Sequence, residues 1–161
     1  MKNPNISCTL LHTIPVKNQL GEGVIWDSQQ QALWWTDIEG KQLFCQTFDG
    51  DGLDALNLST LKQWSVAERI GSFGFVANSD DLIVAFESGL AFYNPQTGHI
   101  KWLGKPESDR PNNRFNDGRV DRDGRFWAGC MVEKVTTNHQ GAGLYRLDHL
   151  SHEPQISRQL D

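Results

Sequence analysis

The chain has 161 residues and a formal net charge of −5, which fits one domain with a sizeable core and disfavours a nucleic-acid partner. Its three cysteines, Cys8, Cys45 and Cys130, form no C-x-x-C pair and are odd in number, so they favour no closed disulfide framework. Residues 1–20 lack an apolar signal-peptide segment, and no apolar stretch reaches the ~18 residues of a membrane span. We therefore expect a reduced, cytoplasmic protein without a membrane partner.

Short apolar segments separated by turn residues follow one another along the whole chain. The predicted strands are 6–15, then 24–26, 32–36, 42–48 and 61–66, then 73–76, 82–86, 89–93 and 99–103, and finally 118–120, 126–129, 143–147 and 155–160. No segment keeps an apolar period of 3.6 residues over three turns. The pattern predicts an all-β protein.

The strands after residue 20 form three similar groups of four. Gly23, Gly74 and Gly118 mark points that we interpret as equivalent in the three groups. Groups of four strands that recur at roughly 45 residues are typical of β-propeller blades, with a β-sandwich of unrelated hairpins as the alternative. The predicted blades are 20–67, 70–105 and 112–161.

Three blades do not close a ring, because each blade packs against two neighbours. The extra strand at 6–15 fits a ring-closing strand that completes a blade from the far end of a longer chain. We therefore expect this chain to be about the first half of a propeller.

The stretch from Asn112 to Gly129 combines a turn with a group of polar side chains. Asp123-Gly124 between apolar residues predicts a hairpin. Arg114, Asn116 and Asp117 come just before the predicted strand at 118–120, where a sheet has no need of them. Polar groups that converge at such a point are typical of a small-molecule site.

Other site patterns find no support in the sequence. Asp121-x-Asp123-Gly124 lacks the further acidic residues of a calcium loop and is interpreted as a turn. No G-x-S-x-G motif occurs. Trp34, Trp35 and Trp127 are interpreted as packing residues. The five histidines have no metal-ligand spacing; they are His12, His99, His139, His149 and His152.

Four motifs resemble the SMP-30/gluconolactonase/regucalcin family. They are L-G-E-G-x-x-W at 20–26, L-W-W-x-D-I at 33–38, N-R-F-N-D-G-R-V-D-x-x-G-R-F-W-A-G at 113–129 and G-A-G-L-Y-R-L-D at 141–148. The resemblance covers almost all of the chain, but only the N-terminal half of a family member. It implies a six-bladed propeller that hydrolyses sugar lactones to aldonic acids, with one divalent metal at the channel mouth.

The resemblance also implies roles for particular residues. Glu22 matches a metal-ligating carboxylate, and Arg114 and Asn116 match substrate-contacting residues. Glu133 is the nearest match to a further substrate-contacting acid, although a shift of one residue would place Lys134 there. The remaining metal ligands and the general-base Asp of the family lie beyond Asp161.

A divalent cation would polarise the lactone carbonyl and activate water, and hard oxygen ligands suit Ca²⁺, Mg²⁺, Mn²⁺ or Zn²⁺. Two other functions stay open on the same scaffold: a non-catalytic, calcium-binding regulatory protein and a protein-binding module. We expect residues 1–161 alone to bind metal weakly and to show little lactonase activity. We also expect self-association through exposed blade edges and through an apolar face of the third blade around Val120, Phe126 and Ala128.

Overall fold

The computed structural model of the protein describes residues 8–48, 56–137, 141–148 and 155–160. The strands of these residues form three four-stranded antiparallel sheets, which confirms the prediction of an all-β chain built from three groups of four. Sheet 1 contains β1 (Gly21–Asp27), β2 (Ala32–Asp37), β3 (Gln42–Thr47) and β4 (Lys62–Ser65), with a short 3₁₀ turn at Leu58–Thr60 before β4. Sheet 2 contains β5 (Ile70–Phe75), β6 (Leu82–Phe86), β7 (Gly89–Tyr93) and β8 (Ile100–Gly104). Sheet 3 contains β9 (Asn113–Val120), β10 (Phe126–Val132), β11 (Leu144–Leu147) and β12 (Ile156–Leu160).

Sheet 2 lies between the other two sheets and is buried on both faces. Side chains alternate along β6: Val84 and Phe86 belong to the core shared with sheet 1, whereas Ile83 and Ala85 belong to the core shared with sheet 3. All five residues of β6 are buried, so this strand is a continuous apolar run and not an alternating one.

Each sheet begins with a strand that carries a β-bulge. The register shifts in β1 after Glu22, in β5 after Ile70, and between β9 and β10 at Ala128. A bulge adds an unpaired residue and redirects the side chains beside it. The bulges lie near the start of β1 and β5 and in the middle of β9.

The register also corrects one predicted equivalence. Phe75 and Val120 are the last paired residues of β5 and β9, so Gly118, which pairs with Ala128, corresponds to Phe73. It does not correspond to Gly74. Gly74 and Gly118 are needed for separate close approaches: a Cβ on Gly118 would lie 2.4 Å from a backbone oxygen of Trp127.

Residues 8–15 form no strand, although the sequence predicts one over 6–15. A strand needs a hydrogen-bonding partner, and no described residue pairs with this segment; Leu10 is 82% exposed. Residues 6 and 7 lie outside the described residues. The ring-closing role of the segment stays a prediction.

The apolar face expected to be open on the third sheet is largely buried. Phe126 and Ala128 are 2% and 1% exposed and pack in the core shared with sheet 2, while Val120 stays 41% exposed. The opposite face of sheet 3 is polar: Arg119, Trp127 and Arg146 are paired across it, and the Arg146 guanidinium lies over the Trp127 ring. The prediction was wrong about which face is apolar, because alternation turns Phe126 and Ala128 towards sheet 2.

The packing prediction for Trp34 and Trp35 and the turn prediction at Asp123-Gly124 are confirmed, whereas Trp127 lies partly exposed outside both cores. Trp34 and Trp35 are buried, and their rings stack on Trp64 and Phe44. Asp121 accepts hydrogen bonds from the backbone nitrogens of Asp123 and Arg125 across the β9–β10 turn. No helix of the described residues has the length and apolarity that a membrane crossing requires.

Candidate functional site

Arg114 is a buried arginine inside β9. The sequence places it before a strand, but β9 already begins at Asn113. The Arg114 side chain is 7% exposed and donates from Nε to Glu133 Oε1 (2.8 Å) and from Nη1 to the Phe115 carbonyl and to Asn116 Oδ1 (2.8 Å). Its Nη2 has no protein partner among the described residues, so this nitrogen can donate to a ligand.

Asn116 lies in the bulge of β9, where its side chain can turn towards Arg114. A bulge explains how a strand accommodates the polar Asn116 and Asp117, which the sequence assigns to a connection. On the neighbouring sheet, Gly71 passes close to this point: a Cβ there would lie 2.3 Å from the Asn116 backbone oxygen. Only glycine permits this approach, which brings β5 and β9 together at the site.

Glu133 follows β10 directly and lies beside Arg114. Its backbone nitrogen donates to the Asn112 carbonyl, which continues the pairing of β10 with β9. Arg69 donates from Nη1 to Oε1 and from Nη2 to Oε2 of Glu133, both at 2.7 Å. The structure therefore places Glu133, and not Lys134, next to Arg114.

The hydrogen bonds to Glu133 favour its ionised form. The two bonds from Arg69 and the one from Arg114 outweigh partial burial and lower the pKa of Glu133 below its ordinary value. The carboxylate is thus ionised at neutral pH, and Oε2 keeps one lone pair for a further donor.

Arg69 is a member of the site that the sequence did not indicate. Besides Glu133, it binds Glu87 through Nε (2.6 Å) and Glu39 through Nη1 (3.1 Å). Glu39 lies in the turn between β2 and β3 of sheet 1, Glu87 follows β6 of sheet 2, and Glu133 follows β10 of sheet 3. The charged pair Glu68-Arg69 directly before β5 is the one sequence signal that could have drawn attention to it.

A cavity of about 380 Å³ opens between sheets 2 and 3 next to these residues, and Arg69, Arg114 and Glu133 line one part of it. Glu107 lies in its wall and is buried. Burial alone would raise the pKa of Glu107, but hydrogen bonds from Asn113, the Gly143 backbone and Tyr145 lower it. Glu107 thereby fixes the segment before β9 against sheet 3.

Glu22 stands apart from this group. It is exposed on β1, next to the bulge, where it lies opposite Thr36 of β2, and its side chain makes no hydrogen bond or ion pair with any other described residue. Its carboxylate is free to act as one metal ligand. However, the described part of the chain contains no group of three His, Cys, Asp or Glu residues placed to hold a metal ion, so these residues do not complete a metal site.

Three consecutive four-stranded antiparallel sheets that pack face to face are the blades of a β-propeller. The chain matches the family described as the SMP-30/gluconolactonase/LRE-like region over residues 20–161, and it belongs to this family. That result confirms the resemblance and the fold class.

Curated relatives are similar over most of this chain. An L-arabinolactonase of Azospirillum brasilense is 35% identical over 82% of the chain and 41% of its own length. A 6-deoxy-6-sulfogluconolactonase of Pseudomonas putida is 32% identical over 92% of the chain and 47% of its own length. A regucalcin of Xenopus laevis is 30% identical over 84% of the chain and 41% of its own length. The chain spans less than half the length of each of these three relatives.

Solved structures show the same fold. A luciferin-regenerating enzyme superimposes with a TM-score of 0.73 at 21% identity, over 90% of this chain and 46% of that one. A regucalcin of Agrobacterium tumefaciens, described as a calcium-binding protein, gives 0.70 at 22% identity, over 89% and 43%. A gluconolactonase of Xanthomonas campestris gives 0.65 at 18% identity, over 89% and 48%.

Proposed function

We propose that this chain forms about the first half of a propeller that hydrolyses sugar lactones to aldonic acids with the help of one divalent metal ion. The observation that carries the proposal is the buried Arg114, held by Glu133 and Asn116, with Nη2 left for a ligand beside a polar cavity. The lactonases among its relatives support the same reaction class.

The chemistry of these groups suits a polyol lactone. Arg114 Nη2 would donate to a ring or hydroxyl oxygen, the free lone pair of Glu133 Oε2 would accept from a hydroxyl, and the Asn116 amide would donate to another oxygen. Several fixed polar groups around one substrate hold it in a single orientation, which lowers the entropic part of the barrier.

The metal part of the proposal rests on Glu22. We assign it as one ligand for Ca²⁺, Zn²⁺, Mg²⁺ or Mn²⁺, and we place the remaining ligands and the general base beyond Asp161. A bound divalent ion supplies Lewis acidity at the lactone carbonyl. The described residues do not by themselves complete the metal site on which that step depends.

The test is base-titrated hydrolysis of aldono-1,4- and 1,5-lactones by the complete protein that contains this chain. We expect turnover that a chelator abolishes and one of the four metals restores. Glu22→Gln should lower turnover at least about 100-fold, since even the partners of metal ligands contribute 10–100-fold. Asp109→Asn, an exposed carboxylate outside the site, is the matched control and should keep full activity.

Two outcomes would contradict the proposal. Turnover unchanged in Glu22→Gln would remove this residue from the metal site. Calcium binding by calorimetry with no lactone hydrolysis would favour the regulatory alternative.

A further inference from the structure

Arg69 is bound by three carboxylates that come from all three sheets. Glu39, Glu87 and Glu133 lie 3.1, 2.6 and 2.7 Å from its guanidinium nitrogens. The Arg69 side chain is 18% exposed, so solvent screens these contacts less than it screens a surface pair. The arginine is the centre of the charged cluster next to the site.

The donors of Arg69 are almost fully used by the protein. It makes four hydrogen bonds to the three carboxylates, and a guanidinium has five N–H groups. A residue with so few free donors acts on a substrate mainly through its partners. The partner it holds by two parallel hydrogen bonds is Glu133, and that geometry fixes the plane of the carboxylate.

Glu133 depends on Arg69 more than on Arg114. Arg114 contacts only Oε1, through Nε, and leaves Oε2 unrestrained. Without Arg69, Glu133 would also lie near the unneutralised Glu39 and Glu87, and like charges in close proximity destabilise the ionised state. Removal of Arg69 would therefore change both the orientation and the charge of Glu133.

We propose that Arg69 is a positioning residue of the lactone site: it holds the Glu133 carboxylate in the one orientation that meets both Arg114 and a substrate hydroxyl. This inference rests on the proposed function. The sequence motifs place the site residues in sheets 1 and 3. Arg69 would add a residue from sheet 2 that supports substrate binding.

The test compares Arg69→Met and Arg69→Lys with Glu39→Gln in the complete protein, by steady-state hydrolysis of an aldono-1,5-lactone across pH. Glu39→Gln removes the negative charge that Arg69 meets on sheet 1 but leaves both hydrogen bonds to Glu133, so it controls for a purely structural effect. Arg69→Met should raise KM about tenfold or more, which is the size usual when the partner that orients a site residue is lost. Its kcat should fall less.

The pH profile provides a second readout. Because Arg69 lowers the pKa of Glu133, its loss should move the acidic limb of kcat/KM to higher pH. Arg69→Lys keeps the charge but not the planar pair of donors, so it should show the same changes at smaller size. Arg69→Lys also tests the proposal if Arg69→Met does not fold.

The outcomes separate the two proposals. A wild-type protein without turnover overturns both. Wild-type turnover with KM and the acidic limb unchanged in Arg69→Met and Arg69→Lys, or changed equally in Glu39→Gln, overturns the role of Arg69 alone.

Discussion

Replacement of Gly71 by alanine should separate two strands at the centre of the site. A Cβ on Gly71 would lie 2.3 Å from the oxygen, 2.8 Å from the Cα and 2.9 Å from the carbonyl carbon of Asn116. These are backbone atoms of β9 and cannot rotate away. The strands must therefore move apart, and the residues behind the contact, Phe73 and Phe115, are fully buried in tightly packed cores.

The expected cost follows from this geometry. Overpacking of a buried contact costs about 1–3 kcal/mol. At a slope of about 2 kcal/mol per M urea, the unfolding midpoint should fall by roughly 0.5–1.5 M. The shift of β9 should also weaken the hydrogen bond between Arg114 and Asn116 and reduce lactone turnover.

The assay is urea unfolding followed by tryptophan fluorescence, with Gly141→Ala as the matched control. A Cβ on Gly141 meets nothing within 4 Å, so its midpoint should stay within experimental error of the wild type. Equal midpoints for Gly71→Ala and Gly141→Ala would refute the close approach of β5 and β9.

Three further predictions concern the core, the charges and the assembly state. Phe86→Ala should lower the free energy of unfolding by about 3–5 kcal/mol, because Phe86 is fully buried. Phe92 is partly exposed, so Phe92→Ala should lower the free energy of unfolding by less in the same urea assay. Folding lowers the pKa of Glu107, so the ionised carboxylate stabilises the fold above the unfolded carboxyl pKa, and this stabilisation is lost as pH falls below about 4.5. The urea midpoints at pH 7 and pH 3.5 should therefore differ less in Glu107→Gln than in the wild type. The 161 residues alone should elute above monomer size in chromatography with light scattering, because strand edges and the exposed Val24 and Trp26 favour association; a monomer would contradict this.

The strands could be predicted largely because local signals determine them. Asp123-Gly124 and Asn94-Pro95 mark turns, and alternation assigns the strands between them. The beginning of β9 could not be predicted, since Asn116 and Asp117 are polar residues in a bulge, and a bulge depends on the partner strand. Residues 8–15 form no strand here, because the segment's pattern allows a strand but supplies no partner, and its ring-closing role stays a prediction.

The candidate site was predicted in part. The motif at 113–118 identified Arg114 and Asn116, and the structure brings both together with Glu133. Arg69 gave no such signal, because its partners Glu87, Glu39 and Glu133 are 18, 30 and 64 residues away in sequence. Contacts of that range follow from the packing of three sheets and not from spacing along the chain.

The most direct test of the account is the kcat/KM of the complete protein for an aldono-1,5-lactone, compared between the wild type, Arg114→Lys and Arg119→Lys. Arg119 is an exposed arginine of the same strand and controls for the change of side chain. We predict that Arg114→Lys loses about 100-fold or more in kcat/KM, the size that a misplaced substrate can cost, while Arg119→Lys stays at the wild-type value. No lactone hydrolysis by the wild type, or equal kcat/KM in all three proteins, would contradict it.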